Sequence, residues 1–342
     1  MSNYHYEFAR AWGLPTIAAT FKQYPADFIV EEELRFELTG VGEHLYVLIE
    51  KEQQNTHWCA KQIARWAQVP NRNVSFAGLK DRQGVTRQWF SIWLPGKPDP
   101  DTTLDIPGVQ LIQQVRHRAK LQRGALSSNR FHIVLRNVGD DSAAIDQALT
   151  VIARNGVPNY FGAQRFGLDY NNVATALTRP AQQWLQQGRG DDIYVSAVRS
   201  YLFNVMLEQR ILQGSWRQAQ PGEPLVLAGS NSWFEAEGTA AESTRIEAAD
   251  CSTSALMYCG QMSVSDSAFY QWEVDQLKPY QQLMDWLQPV ELKPLRRPLI
   301  LRPENMQWQH TDRHTLTLSF GLPTGGYATS VLHELFVFDS FA

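Results

Sequence analysis

Residues Thr315–Thr329 read TLTLSFGLPTGGYAT, and this stretch near the C-terminal end decides how the chain is put together. Leu316, Leu318 and Phe320 alternate with Thr and Ser at the two-residue period of a strand that buries one face. A turn at LPTGG follows, and a helix is expected from about Ala328 to Phe338. A tail of roughly 40 residues cannot build a core of its own, so this strand must complete a sheet begun elsewhere. The other strand signals lie far upstream, in Asp27–Leu34, Glu43–Lys51, Gln88–Trp93 and Arg130–Val138, where Phe131, Ile133 and Leu135 share a face. Among them Asn55 and Thr56 can cap a helix with the stripe Cys59, Ile63 and Trp66, ending before Pro70; a second helix spans 140–155, closed by Gly156 and Pro158. Residues 171–290 change character, with helix-length segments at 200–212 and 273–287 around a Gly/Pro/Ser-rich stretch at 213–232. The expected fold is therefore α+β, with a mixed or antiparallel sheet built from both chain ends (1–154 and 304–342) and a mainly helical insertion (155–303).

Composition narrows the function. The chain has 342 residues, 44% of them hydrophobic and 19% charged, enough to bury a full core and, at this length, to favour two domains. With 31 basic against 35 acidic residues the net charge is −4, which argues against binding phosphates by bulk charge. No apolar run is long enough for a membrane span, and the start MSNYHYEFARAWGLP lacks the apolar region of a signal peptide, so a cytoplasmic protein is expected. Cys59, Cys251 and Cys259 form no CxxC pair, and the eight histidines are scattered without ligand spacing, so no metal is expected. Neither GxxxxGK[ST] nor GxGxxG occurs, so no nucleotide cofactor is expected either. The absence of heptads favours a monomer.

The modest net charge conceals a local excess. Between Arg72 and Arg136 stand 11 basic and 4 acidic residues, and from Arg116 the run Arg116, Arg118, Lys120, Arg123, Arg130 and Arg136 contains no acid. Such a run is either a solvated face or a phosphate track; alternation at 116, 118 and 120 would put three cations on one side of a strand. Within the basic segment lies SFAGLKDRQGVTRQWFS (75–91), where Asp81 is hemmed by Lys80, Arg82 and Arg87, with Gly78 and Gly84 allowing tight backbone paths. Asp81 is either a salt-bridged turn residue or a carboxylate kept ionised as a nucleophile. GVPNYFGAQRFG (156–167) packs three aromatics, three glycines and Arg165 too irregularly for a helix face; it is either boundary core or a loop in which Arg165 meets a phosphate. Tyr327, after the Gly-Gly turn, is placed either to stack on a base or to cover the core.

Taken together, SFAGLKDRQGVTRQ, GVPNYFGAQRFG and FGLPTGGYATSVL resemble the signature segments of the tRNA pseudouridine synthase D (TruD) family, with KQYPADFIVEE and GEHLYVLIEKEQQNT resembling its first strands. The resemblance implies a permuted pseudouridine synthase catalytic domain plus an inserted TRUD domain. It implies an isomerase that converts uridine to pseudouridine in tRNA, at position 13 of the D arm, without cofactor or metal. Asp81 falls on the family's catalytic aspartate, and Phe28, Asn129 and Tyr327 on its substrate-contacting positions, with Phe131, Lys22 and Lys80 as neighbours of the base. Arg116, Arg118, Lys120, Arg123 and Arg165 are candidates for the RNA backbone. The family's usual arginine in the final helix is His333 here, which exchanges a fixed charge for one that titrates near neutrality. The rival readings are a tRNA-binding or folding protein in which the LKD turn is structural, and a glycoside hydrolase with an aspartate nucleophile.

Overall fold

The computed structural model describes residues 4–14, 16–80, 84–185, 193–230, 232–259 and 267–338. Two compact units make up the chain: one comprises 1–15, 148–302 and 326–335, the other 16–147, 303–325 and 336–342.

The second unit is built on a ten-stranded sheet. Its N-terminal strands are β1 (Ile17–Phe21), β2 (Phe28–Leu34), β3 (His44–Glu52), β4 (Val74–Phe76), β5 (Val85–Trp93), β6 (Val109–His117) and β7 (Leu126–Arg136). Strands Glu304–Asp312 and Thr315–Pro323 join them, giving the order 304–312, 315–323, β7, β2, β5, β3, β6. The alternation at Leu316, Leu318 and Phe320 is explained directly: all three are fully buried, and the strand pairs antiparallel with β7 from Thr315↔Arg136 to Pro323↔Ser128. β2 runs parallel to β5 and antiparallel to β7, so the sheet is mixed. Helix α1 (Thr56–Trp66) is capped by Asn55, whose side chain accepts from His57 N at 2.8 Å, and buries Cys59 and Ile63 with Val47, Phe90 and Ile92.

One sequence expectation fails at the end of the chain. The last helix spans only Ala328–His333, and Phe336–Phe338 is a strand parallel to β1. The reason is the FVF alternation: Phe336 and Phe338 are buried and Val337 exposed, a pattern that suits a strand and not a helix face.

The other unit centres on the helix Ile193–Leu212, whose apolar residues Val195, Val198, Tyr201, Leu202 and Met206 share a core with Leu283 and Leu287. It is mainly helical but also holds short strands, including Pro224–Leu227 and Ser254–Met257. Arg210 and Glu223 form a buried pair at 3.1 Å, and Glu223 also accepts from the backbone N–H groups of Gln220 and Ser254. The N-terminal arm is clasped within this unit. Glu334 accepts from Ala11 N and Trp12 N at 3.0 and 3.3 Å, and Tyr160 O–H donates to Ala9 O at 3.1 Å.

Burial pushes the Glu334 carboxyl up to about 7, against the N–H groups of Ala11 and Trp12 and the charge of Arg10. The native chain therefore keeps this proton where the unfolded chain, near 4.5, has released it. The stability it gives is complete below about pH 4.5 and is lost as pH rises to about 7, a loss of ~3 kcal/mol. Glu334→Gln is expected to flatten the difference between stability at pH 5 and at pH 7, as read by urea unfolding; an unchanged slope would refute the assignment. Among the described residues, no helix is long and apolar enough to cross a membrane.

Candidate active site

Asp81 and Arg82 lie outside the described residues, but the segment that leads to them is held by a dense polar network in the sheet unit. Thr56, 1% exposed at the start of α1, donates from Oγ1 to Gln88 Oε1 at 3.0 Å and accepts the Lys80 backbone N–H at 3.1 Å. Gln88, wholly buried on β5, returns its Nε2 to Gly78 O at 2.8 Å. Both ends of Gly78–Lys80 are thus pinned to the scaffold. The Lys80 side chain turns inward: its Nζ lies 3.1 Å from Glu32 and donates to Asn129 Oδ1. Glu32 is fully buried on β2, and its other oxygen accepts the Trp89 N–H at 2.9 Å. Burial raises the Glu32 pKa, opposed by Lys80, the Trp89 N–H and Lys51. Glu32 and Asn129 sit opposite each other in the β2–β7 register, which is what allows one lysine to reach both.

Gly84 is sterically required here. Its φ is +107°, and a Cβ would stand 2.8 Å from Phe28 O. Gly78 has neither a positive φ nor a close neighbour, so its expected role in a tight path is not borne by the backbone.

Phe28 and Phe131, 8% and 7% exposed, belong to an aromatic column. Phe21 meets Phe28 edge-on at 5.5 Å, Phe28 lies 6.0 Å from Phe131, and Phe131 stacks on Phe320 at 5.7 Å. Lys22, in the left-handed region at φ 56°, places Nζ 4.3 Å over the Phe28 ring. A lysine held in that conformation at a strand end is a strained backbone of the kind that marks functional sites. The sheet unit therefore brings these residues into two clusters on β2 and β7, Lys80 with Asn129 and Lys22 with Phe28 and Phe131.

Tyr327 and Arg165 stand in the other unit. Arg165 donates to the Tyr327 hydroxyl from Nε at 3.2 Å and Nη2 at 3.0 Å, and to Ser196 Oγ at 2.8 Å. Phe161 meets Tyr327 edge-on at 5.8 Å and carries the Arg297 guanidinium 4.0 Å from its ring centre. Gly162 is what lets this ring approach, because a Cβ there would fall 2.6 Å from Thr329 Oγ1 and 3.1 Å from Tyr327 Cδ1. Arg297 donates to Asn159 Oδ1 at 2.6 Å, and its pKa is pushed down to about 10 by burial and by Arg165, with Tyr327 opposing. His333 does not present a charge. Its pKa is lowered by burial, and its Nε2 donates to Phe8 O at 3.1 Å, so the side chain ties down the N-terminal arm.

The basic run divides sharply. Arg116 is engaged with Asp99 at 2.6 Å and with the carbonyls of Gly42, Leu94 and Lys97, while Arg130 pairs with Glu33 and Arg136 with Asp27. β6 ends at His117, so Arg116, Arg118 and Lys120 do not share a strand face, contrary to the alternation. Arg118, Lys120 and Arg123 are exposed and form no ion pair among the described residues.

Glu32 and Arg297 were not singled out from the sequence, and Thr56 and Gln88 entered it only as a helix-cap candidate and a strand end. A glutamate in the buried-parity register of FIVEEEL and a glutamine inside VTRQWF were the available signals, since polar residues on core faces need partners.

A family model described as tRNA pseudouridine synthase D (TruD) matches residues 8–179 and 186–335. Curated relatives named tRNA pseudouridine synthase D include one from Hydrogenovibrio crunogenus, 43% identical over 331 residues and 96% of each chain. Another, from Aeromonas hydrophila, is 40% identical over 332 residues, 96% of this chain and 94% of that one. A crystal structure titled as a tRNA pseudouridine synthase D from Methanosarcina mazei superposes with a TM-score of 0.71 at 20% identity, covering 97% of this chain and 98% of that chain; it speaks for the fold.

Proposed function

The chain belongs to the tRNA pseudouridine synthase D family, and we propose that it isomerises uridine to pseudouridine at position 13 of the tRNA D arm, with Asp81 as the nucleophile. The reaction breaks the N1–C1′ bond, turns the uracil and joins C5 to C1′; C5 gives up a proton and N1 gains one. No oxidant, reductant or nucleotide is consumed. The protein must supply a carboxylate at the sugar, retain the detached base and keep water out.

The observation that carries this reading is the buried Glu32–Lys80–Asn129 network directly before Asp81. A buried charge pair is expensive to maintain, and bracing a reactive segment is a use that justifies it. Asp81 acts at the ribose, either by attack at C1′ or by removing a ribose proton. Asn129 and Lys80 fix the approach to it, and Phe28 and Phe131 form an apolar floor with Lys22 above it. Tyr327, in the other unit, is assigned a stacking contact with the RNA on the strength of its family position. Extruding a base costs a few kcal/mol, and one aromatic contact returns ~1–3 kcal/mol. Of the RNA-backbone candidates, Arg118, Lys120, Arg123 and Arg165 keep that role; Arg116 is better read as structural. We assign the catalytic domain to 1–154 and 304–342 with 155–303 inserted, its core being the sheet unit while 1–15, 148–154 and 326–335 belong to the other compact unit, and a monomer acting in the cytoplasm.

The test is carbodiimide labelling of unmodified tRNA after incubation with the protein. A new N3-adduct stop is the expected result; release of free uracil would favour a hydrolase, and no change a binding protein. Tyr327→Ala should lower turnover more than Tyr327→Phe. The phenylalanine variant still leaves Arg165 without its hydroxyl partner, a loss of about 1 kcal/mol. Equal losses would assign the role to the hydroxyl.

A further inference from the structure

The same sheet carries a second feature at its far end. β5 runs from Val85 to Trp93, and the pinned Gly78–Lys80 segment is bonded to it at Gln88, five residues or ~17 Å from Trp93 at ~3.3 Å per residue. At the Trp93 end a hollow of about 240 Å³ is lined by His44, Arg72, Asn73, Trp93 and Lys120. His44 sits opposite both Trp93 and His117 in register, so three strand ends meet there. Trp93 is 44% exposed, and its ring is steadied through its edge, with Nε1–H donating to Glu43 at 3.2 Å. Arg72 and Lys120 are exposed and form no ion pair among the described residues. His44 Nδ1 is buried without a hydrogen-bond partner among those residues. Burial holds the His44 pKa down, with Glu43 opposing and Lys120 and His117 adding to the fall.

We propose that this hollow is a second RNA subsite, which holds an unpaired nucleotide of the tRNA with its base against Trp93 and its flanking phosphates against Arg72 and Lys120. The inference rests on the tRNA reading above and adds a subsite to it. A steadied, exposed indole flanked by cations without carboxylate partners is the arrangement that binds single-stranded nucleic acid: the ring stacks on any base and the cations follow the backbone. The spacing suits a long substrate, since ~17 Å along β5 separates the hollow from the segment before Asp81. Arg118, two residues from Lys120 and likewise exposed, extends the track. A positive end of the sheet also reconciles an RNA enzyme with a net charge of −4.

The experiment measures the Kd for an unmodified tRNA transcript at increasing KCl. The double variant Arg72→Ala/Lys120→Ala is expected to bind about ten-fold more weakly at low salt and to make the slope of log affinity against log salt shallower by ~1.5, as two phosphate contacts require. Trp93→Ala should lose about ten-fold, with Trp93→Phe restoring most of it. Unchanged affinity and slope in double variants with the wild-type melting temperature would overturn the subsite; because Arg72 and Lys120 are exposed, that result decides even if Trp93→Ala fails to fold. A wild-type protein that forms no pseudouridine would instead overturn the reading on which the subsite rests.

Discussion

Asp81→Asn is expected to abolish pseudouridine formation, by at least ~10³-fold in single turnover, while tRNA binding stays within a factor of two or three of wild type. The carboxamide is nearly isosteric with the carboxylate but can neither attack C1′ nor take a proton from the ribose. Tight binding should survive because affinity for RNA comes mainly from cations on the phosphate backbone, and Asp81 contributes none. Asn at this position removes one negative charge that an RNA phosphate would meet, so a slight gain in affinity is consistent with the assignment. Appreciable turnover by the variant, measured by the carbodiimide stop, would rule Asp81 out as the nucleophile. Loss of turnover together with loss of binding would show a structural role instead.

The second large effect is expected at Glu32. Glu32→Gln preserves volume but leaves the Lys80 ammonium, 11% exposed, without its carboxylate. Removing one partner of a buried pair costs ~3–5 kcal/mol, because the remaining charge stays desolvated. Urea unfolding should therefore show a loss of that order, and turnover should fall with it, because Asn129 and the segment before Asp81 lose their common anchor. Glu32→Gln combined with Lys80→Met removes both charges. Its stability should return towards wild type while turnover remains low, which separates positioning from folding. If the double variant regains full activity, the network is merely structural. If Glu32→Gln is as stable as wild type, the pair is not a buried ion pair at all.

Much of this arrangement could be read in the chain. Period-two alternation at Leu316, Leu318 and Phe320 reports a half-buried strand whatever its partner, and a tail too short for its own core must join an earlier sheet; its pairing with β7 is that consequence. The Asn55 cap and the Cys59–Ile63 stripe are equally local, and α1 begins and buries its face accordingly. Other particulars were not legible. The final residues continue a helical segment in sequence, and the three-residue FVF alternation is too short to end that helix by itself; pairing with β1 makes Phe336–Phe338 a strand. The insertion reads as helical because its strands, such as Ser254–Met257, are short and buried without alternation.

The sequence by itself determined the family and the sheet assembled from both chain ends, because signature segments and periodicity are properties of contiguous residues. Only the tertiary structure decided which charges are spent and which remain available. Arg116, Arg130 and Arg136 look like Arg118, Lys120 and Arg123 in the chain, yet the first three meet Asp99, Glu33 and Asp27, and the others meet solvent. Lys80 seems to belong with its neighbour Asp81 but turns to Glu32 and Asn129, which lie 48 and 49 residues away along the chain. The physical reason is that a charged group's role is set by desolvation and by the partner facing it, and both are fixed by strands that meet in space from distant parts of the chain.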